Sequence, residues 1–282
     1  MYSIYLYDKN RSIKMSNKTS DIIIEIGSYN GLDGMTYAIC NPRYLVYSFE
    51  PNPYQFKKII NNKKIIEKKL DFKIKNFKII NKAISNFNGK SKFYISSSPE
   101  SNSIIKFKSK KKILKEWKGN IGVKNFHVKK KIITNVVRLE DFFGKTNKIE
   151  IKYLHCDAQG SDLKALKSLG KFLNSLHGGS IEVATNFKKS MYSEKSNNIN
   201  NAKKILKEEK FKIINIQKND LNANEVNIFF EKKKNSLSIL NRIKILNRFI
   251  RGFLRRIKDQ EDSLFYLIIF NLLIKICTKL RI

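Results

Sequence analysis

Residues 25–31, Glu25-Ile26-Gly27-Ser28-Tyr29-Asn30-Gly31, decide the fold. They close the apolar run 22–26, so a carboxylate ends a strand and glycines follow two and six positions later. In a doubly wound α/β sheet, ligands sit at the carboxyl ends of the strands, at the topological switch point. Glycine there lets the backbone come close to a ligand and adopt dihedrals that a side chain forbids. The spacing is E-x-G-x-x-x-G, not the G-x-G-x-x-G that cradles a pyrophosphate, which favours a nucleoside without one.

Outward from this loop, residues 45–49 form a second strand candidate, followed by Glu50-Pro51-Asn52-Pro53. Glu50 lies 23 residues beyond Gly27, where such sheets place the carboxylate that binds ribose hydroxyls. The prolines fix a rigid exit into the next helix. Further strands are expected at 77–80, 92–95, 132–137, 153–156, 180–183, 211–216 and 226–230. Asn88-Gly89 reads as a hairpin-like turn between the 77–80 and 92–95 strands. Helices are expected at 53–68, 162–174 and 196–210. Strands alternating with helices indicate an α/β domain on a parallel sheet, and the last two strands, too close for a helical crossover, are expected to pair antiparallel. The organisation is a lead-in (1–20), a domain (21–232) with a lid or insertion at 106–131, and a helical tail (233–282).

Several motifs in one order carry a resemblance: EIGSYNG (25–31), FEPNP (49–53), NKAISNFNGKSKFYIS (81–96), RLEDFF (138–143), YLHCDAQGSDLKALKSLG (153–170) and NEVNIFF (224–230). The chain resembles the FkbM-type methyltransferases, within the class I S-adenosylmethionine-dependent, Rossmann-like fold. The resemblance implies a mainly parallel seven-stranded sheet with one antiparallel strand, and S-adenosylmethionine as cofactor. It implies that Glu25, Gly27, Asn30 and Gly31 line the methionine and ribose end of the cofactor. Glu50 would bind the ribose, Pro51 and Asn52 would lie beside the adenine, and Ala83 and Ile84 would flank the ring. Asp157 would face the methyl group and acceptor. The family's commoner Asp-x-Glu-Gly is here Asp157-Ala158-Gln159-Gly160, so no charge stands at 159.

Methyl transfer from a sulfonium is an in-line displacement, which requires a held and aligned nucleophile. An alcohol nucleophile also benefits from a base. Asp157 is the first candidate for that base and Glu182 the second. His155 is expected to face away from Asp157, and His127 and His177 read as structural. No metal-ligand cluster is evident. The resemblance suggests O-methylation of a small molecule, or of a sugar, glycan or glycolipid precursor. A degenerate, non-catalytic scaffold on the same fold is the competing reading.

The chain carries 57 Lys+Arg against 24 Asp+Glu, a net charge of +33 over 282 residues. Only 9 of the basic residues are Arg, whereas a specific nucleic-acid reader favours Arg for its planar fork. Lys, Asn and Ile are all abundant, as in an AT-rich genome, so specific nucleic acid is not expected as a partner. Six of the nine Arg fall in 242–282. There, residues 237–258 place Ile239, Ile243, Leu246, Ile250, Phe253, Leu254 and Ile257 on one helical face, with Lys244, Arg248, Arg251, Arg255 and Lys258 beside it. That pattern suits an anionic membrane surface. A cap on the domain and a homodimer contact are the alternatives. Three scattered cysteines without a CxxC, and no h-region at the start, suggest a cytoplasmic protein, peripheral on the membrane if the tail binds lipid.

Overall fold

The computed structural model describes residues 20–120, 123–144, 149–232 and 250–255. The elements run β1 (Ser20–Ile26), α1 (Leu32–Cys40), β2 (Leu45–Phe49), α2 (Pro53–Leu70), β3 (Phe77–Ile80), β4 (Ala83–Ile84) and β5 (Gly89–Ser96). There follow α3 (Lys110–Glu116), β6 (Val128–Val137), α4 (Leu139–Phe143), β7 (Ile149–Cys156), α5 (Asp162–Lys167), β8 (Gly178–Ala184), α6 (Ile199–Glu208), β9 (Lys212–Lys218) and β10 (Glu225–Glu231).

Seven strands form the main sheet in the order β3-β2-β1-β7-β8-β10-β9. β3, β2, β1, β7 and β8 run parallel, and β10 runs against both of its neighbours. The order reverses between β1 and β7, which makes their carboxyl ends the switch point. Strand side chains alternate between faces, so Ile22, Ile24 and Ile26 enter one core and Ile23 the other. The first core packs α4, α5 and α6 against the sheet, and the second packs α1 and α2.

A second sheet, order β4-β6-β5, corrects two expectations. The 132–137 strand belongs to it and not to the main series, and the 77–80 and 92–95 strands do not form a hairpin, because β3 edges the main sheet while β5 pairs with β6. The Asn88 side chain does not close such a turn. It accepts from Arg138 N and donates to Asp141 Oδ2, both at 2.8 Å.

Helix α1 was not expected from the sequence. Eight of its nine residues are buried, so it lacks the polar stripe that marks a surface helix. The 162–174 helix divides into α5 and a 3-10 turn at Gly170–Ser175, broken where Gly170 takes φ +51°. α2 begins where the sequence indicates. Pro53 stands in its first turn, and Asn52 Oδ1 accepts from Tyr54 N at 3.0 Å, a cap that stabilises by about 1 kcal/mol.

Residues 250–255 are helical, and Ile250, Phe253 and Leu254 pack into the second core. These three belong to the face assigned above to a membrane, and in the described stretch that face meets protein. The rest of the tail, 233–249 and 256–282, lies outside the described residues, as do 1–19. Among the described residues no helix is long and apolar enough to cross a membrane.

Candidate functional site

A cleft of about 720 Å³ opens at the switch point. Its floor is the turn after β1. Gly27 N donates to Phe49 O at 3.0 Å, and Asp157 N donates to Ile26 O at 3.0 Å, so the ends of β2, β1 and β7 are stitched together. Gly27 has φ +84°, and a Cβ there would sit 2.0 Å from Asp157 O. Only glycine allows that approach. Tyr29 takes φ 50°, a conformation that costs a non-glycine residue about 1 kcal/mol or more.

Glu50 lies at the lip, where β2 ends. Its Oε1 accepts from Asn52 N and its Oε2 from Tyr29 N, each at 2.8 Å. The carboxylate is thereby fixed and keeps lone pairs free toward the cleft. Burial pushes its pKa up to about 7 against those two amide bonds, with a further rise from Asp157.

The expected cofactor residues divide in two. Gly27, Asn30, Glu50, Pro51, Ala83, Ile84 and Asp157 line the cleft. Glu25, Gly31, Asn52 and Glu182 do not line it. Glu25 points from β1 toward α1, where Ser48 Oγ donates to it and a Cβ on Gly34 would strike its carboxyl. Burial, then repulsion from Asp33, raises its pKa to about 8. Gly31 (φ +76°) backs onto Ile59, and Asn52 is spent on the cap of α2.

Of the two base candidates, Asp157 borders the cleft and Glu182 stands behind it. Gln159 bonds to both, and the two carboxyls are themselves close enough to hydrogen-bond. The Gln159 amide nitrogen donates to Asp157 Oδ1, and to Glu182 Oε2 at 3.1 Å, while its oxygen accepts from Tyr192 OH. Every hydrogen-bonding position on that amide nitrogen is used. Glu182 also accepts from Asn219. Burial, then repulsion from Asp157, pushes Glu182 well above the usual carboxylate range.

His155 corrects another expectation. It lies two residues before Asp157, so strand alternation puts both on one side, and both line the cleft. Its Nδ1 meets Tyr37 OH at 3.2 Å. Glu25, Asp33 and His155 bring ligand atoms within 4.8 Å of one another. Glu25 accepts from Ser48 and His155 meets Tyr37, while Asp33 Oδ1 lies in an ion pair with Arg251 Nε at 3.1 Å but has no hydrogen-bond partner among the described residues. His177 pairs with Glu150 at 2.5 Å, away from the cleft wall, and His127 is bonded to its own loop.

The segment assigned as a lid or insertion packs on the loop after β8, and none of its described residues lines the cleft. Phe107, Ile113, Trp117 and Phe126 pack with Met191 and Tyr192 from the loop after β8. Lys108 N donates to Met191 O, and Ser103 Oγ to Gln159 O at 2.6 Å. Glu100, Asn102 and Ser103, which precede that segment, join the cleft wall. These residues, with Asp33, Arg251 and Arg255, are site residues that motif reading did not find, whereas Gln159 stands in a quoted motif.

Comparison with known proteins follows this geometry. The methyltransferase FkbM domain matches residues 25–212. A search of curated proteins returns no match. Among solved structures, the chain is similar to the crystal structure of methyltransferase FkbM from Methylobacillus flagellatus KT. The identity is 12%, the TM-score is 0.44, and the match covers 80% of this chain and 46% of that one. The chain thus spans about half the length of that protein. With the family's domain covering two thirds of its residues, the chain belongs to the FkbM methyltransferase family.

Proposed function

We propose that the chain is an S-adenosylmethionine-dependent O-methyltransferase acting on a hydroxyl of a small molecule, with a sugar, glycan or glycolipid precursor as the acceptor class. The observation that carries this reading is Glu50, a buried carboxylate held by two backbone amides at the cleft lip, above a turn that admits no Cβ at Gly27. That donor set fits the cofactor. Glu50 would accept from the ribose hydroxyls, Gly27 would let the backbone approach the methionyl portion, and Pro51, Ala83 and Ile84 would offer apolar surface to the adenine.

The cofactor supplies a methyl group on a sulfonium. The protein's part is to hold the acceptor oxygen in line and to receive its proton. Asp157 receives it, because it borders the cleft while Glu182 stands behind it. Gln159 fixes the Asp157 carboxylate in place. The polar wall of Glu100, Asn102 and Ser103 suits an acceptor rich in hydroxyls.

A screen of hydroxyl acceptors with methyl-labelled cofactor tests the reading. A methyl ether whose formation collapses in Asp157→Asn is the expected product. Label found only on nitrogen or carbon would overturn the O-methylation. Absence of product with every acceptor, from protein that binds S-adenosylhomocysteine, would favour the non-catalytic scaffold.

A further inference from the structure

The C-terminal helical segment does more than cover the sheet. Ile250 and Leu254 are almost fully buried, and Phe253 is 7% exposed, so the segment is docked by its apolar side. The flank beside it carries Arg251 and Arg255, one turn apart, and both line the cleft. The basic flank that the sequence offers to a membrane therefore faces, at these two positions, the site itself.

The two arginines differ. Arg251 is tethered, with its Nε 3.1 Å from Asp33 Oδ1 on α1. Asp33 offsets part of its charge. Arg255 has no ion pair among the described residues and is exposed at the rim. Lys58, from α2, lines the same cleft with its ammonium 5.9 Å from the Tyr29 ring centre. A cleft with low-dielectric walls focuses the field of such charges, and the arginine fork matches carboxylate and phosphate oxygens in pairs. An isolated rim arginine would be merely solvated; a tethered one and an untethered one on a docked turn make a prepared surface.

We propose that Arg255, seated beside the Asp33-bound Arg251, binds an oxyanion at the cleft mouth, so that the C-terminal helix is a wall of the site and the bound molecule carries a phosphate or carboxylate. The inference rests on the reading of the cleft as the methyl-transfer site. Two sources share this chemistry: a phosphate on the acceptor and the α-carboxylate of the cofactor.

Full-length protein, Arg255→Gln, Arg251→Gln and the surface control Lys110→Gln would be compared by calorimetry. Inorganic pyrophosphate probes the acceptor-side oxyanion. S-adenosylhomocysteine against 5′-methylthioadenosine, which lacks the amino-acid group, probes the cofactor carboxylate. Arg255→Gln is expected to weaken one of the two interactions by roughly tenfold or more, as loss of a charge-assisted contact does. The arm that responds identifies the source, and Lys110→Gln should match the parent in both. If Arg255→Gln and Arg251→Gln also match the parent in both arms, the proposal is wrong. Failure of the parent to bind S-adenosylhomocysteine would instead remove the cofactor reading, while the pyrophosphate arm still judges Arg255, which is exposed and can be replaced without unfolding the chain.

Discussion

The amide of Tyr29 donates to Glu50 Oε2 at 2.8 Å, tying the turn after β1 to the end of β2. The two motifs that lie apart in sequence are thus one device. The strained Tyr29 backbone presents the N–H, and the carboxylate it fixes lines the cleft.

Since burial raises Glu50 to about 7, its charged form is lost as the pH falls through neutrality. If ribose hydroxyls donate to the carboxylate, as proposed, affinity for S-adenosylhomocysteine should weaken on acidification, by up to about tenfold per pH unit below 7. Calorimetry across that range is the check. In Glu50→Gln this pH dependence should vanish, and a variant that keeps it would place the titrating group elsewhere.

Gly27→Ala asks whether the close approach matters. The new methyl would meet Asp157 O at 2.0 Å, and φ +84° is disfavoured for alanine. Stability should fall by about 1–3 kcal/mol and cofactor binding should be lost, because strand β1 or β7 must shift. Denaturant unfolding alongside cofactor titration reads both, and a variant with parent stability and affinity would contradict the described packing.

Asp157→Asn should lower turnover by about 10²- to 10⁴-fold, the usual contribution of a positioned base, with little change in cofactor affinity. Glu182→Gln, behind the cleft, should lower it far less. Gln159→Glu would set a third carboxyl beside Asp157 and Glu182, so like-charge repulsion should move the acidic limb of the pH–rate profile upward. Equal losses in the Asp157 and Glu182 variants would undo the assignment of the base.

Glu25 provides a stability test. Its folded value is raised from 4.5 to about 8, chiefly by burial. The folded state then binds a proton that the unfolded state has released. This contribution is fully present below about pH 4.5 and is lost as the pH rises toward 8, at about 1.4 kcal/mol per pH unit in between. Glu25→Gln should flatten that part of the stability–pH curve, as followed by denaturant melts. An unchanged slope would show that Glu25 is ionised in the folded protein.

The sheet was legible because its strands are short apolar runs bounded by turns, and because Gly27 and Glu50 keep the spacing that a switch point demands. What escaped has physical causes. α1 is buried almost all round and shows no periodicity. β5 and β6 look like the main strands but pair in a second sheet, a matter of tertiary partners and not of local pattern. Glu25 carries a motif carboxylate, yet the parity of β1 turns it under α1. Asp157 and His155 lie two apart and share a side, which the spacing alone should have indicated. Arg251 and Arg255 reach the cleft from more than 200 residues beyond Gly27 in the chain, where no local motif could place them.

The most direct test of the cofactor assignment is a calorimetric titration of the folded, full-length protein and of Glu50→Ala with S-adenosylhomocysteine. The account predicts one binding event per chain in the parent, weakened by about tenfold or more in the variant as a buried charged acceptor is removed. No binding to the parent, or equal binding to both, would contradict it.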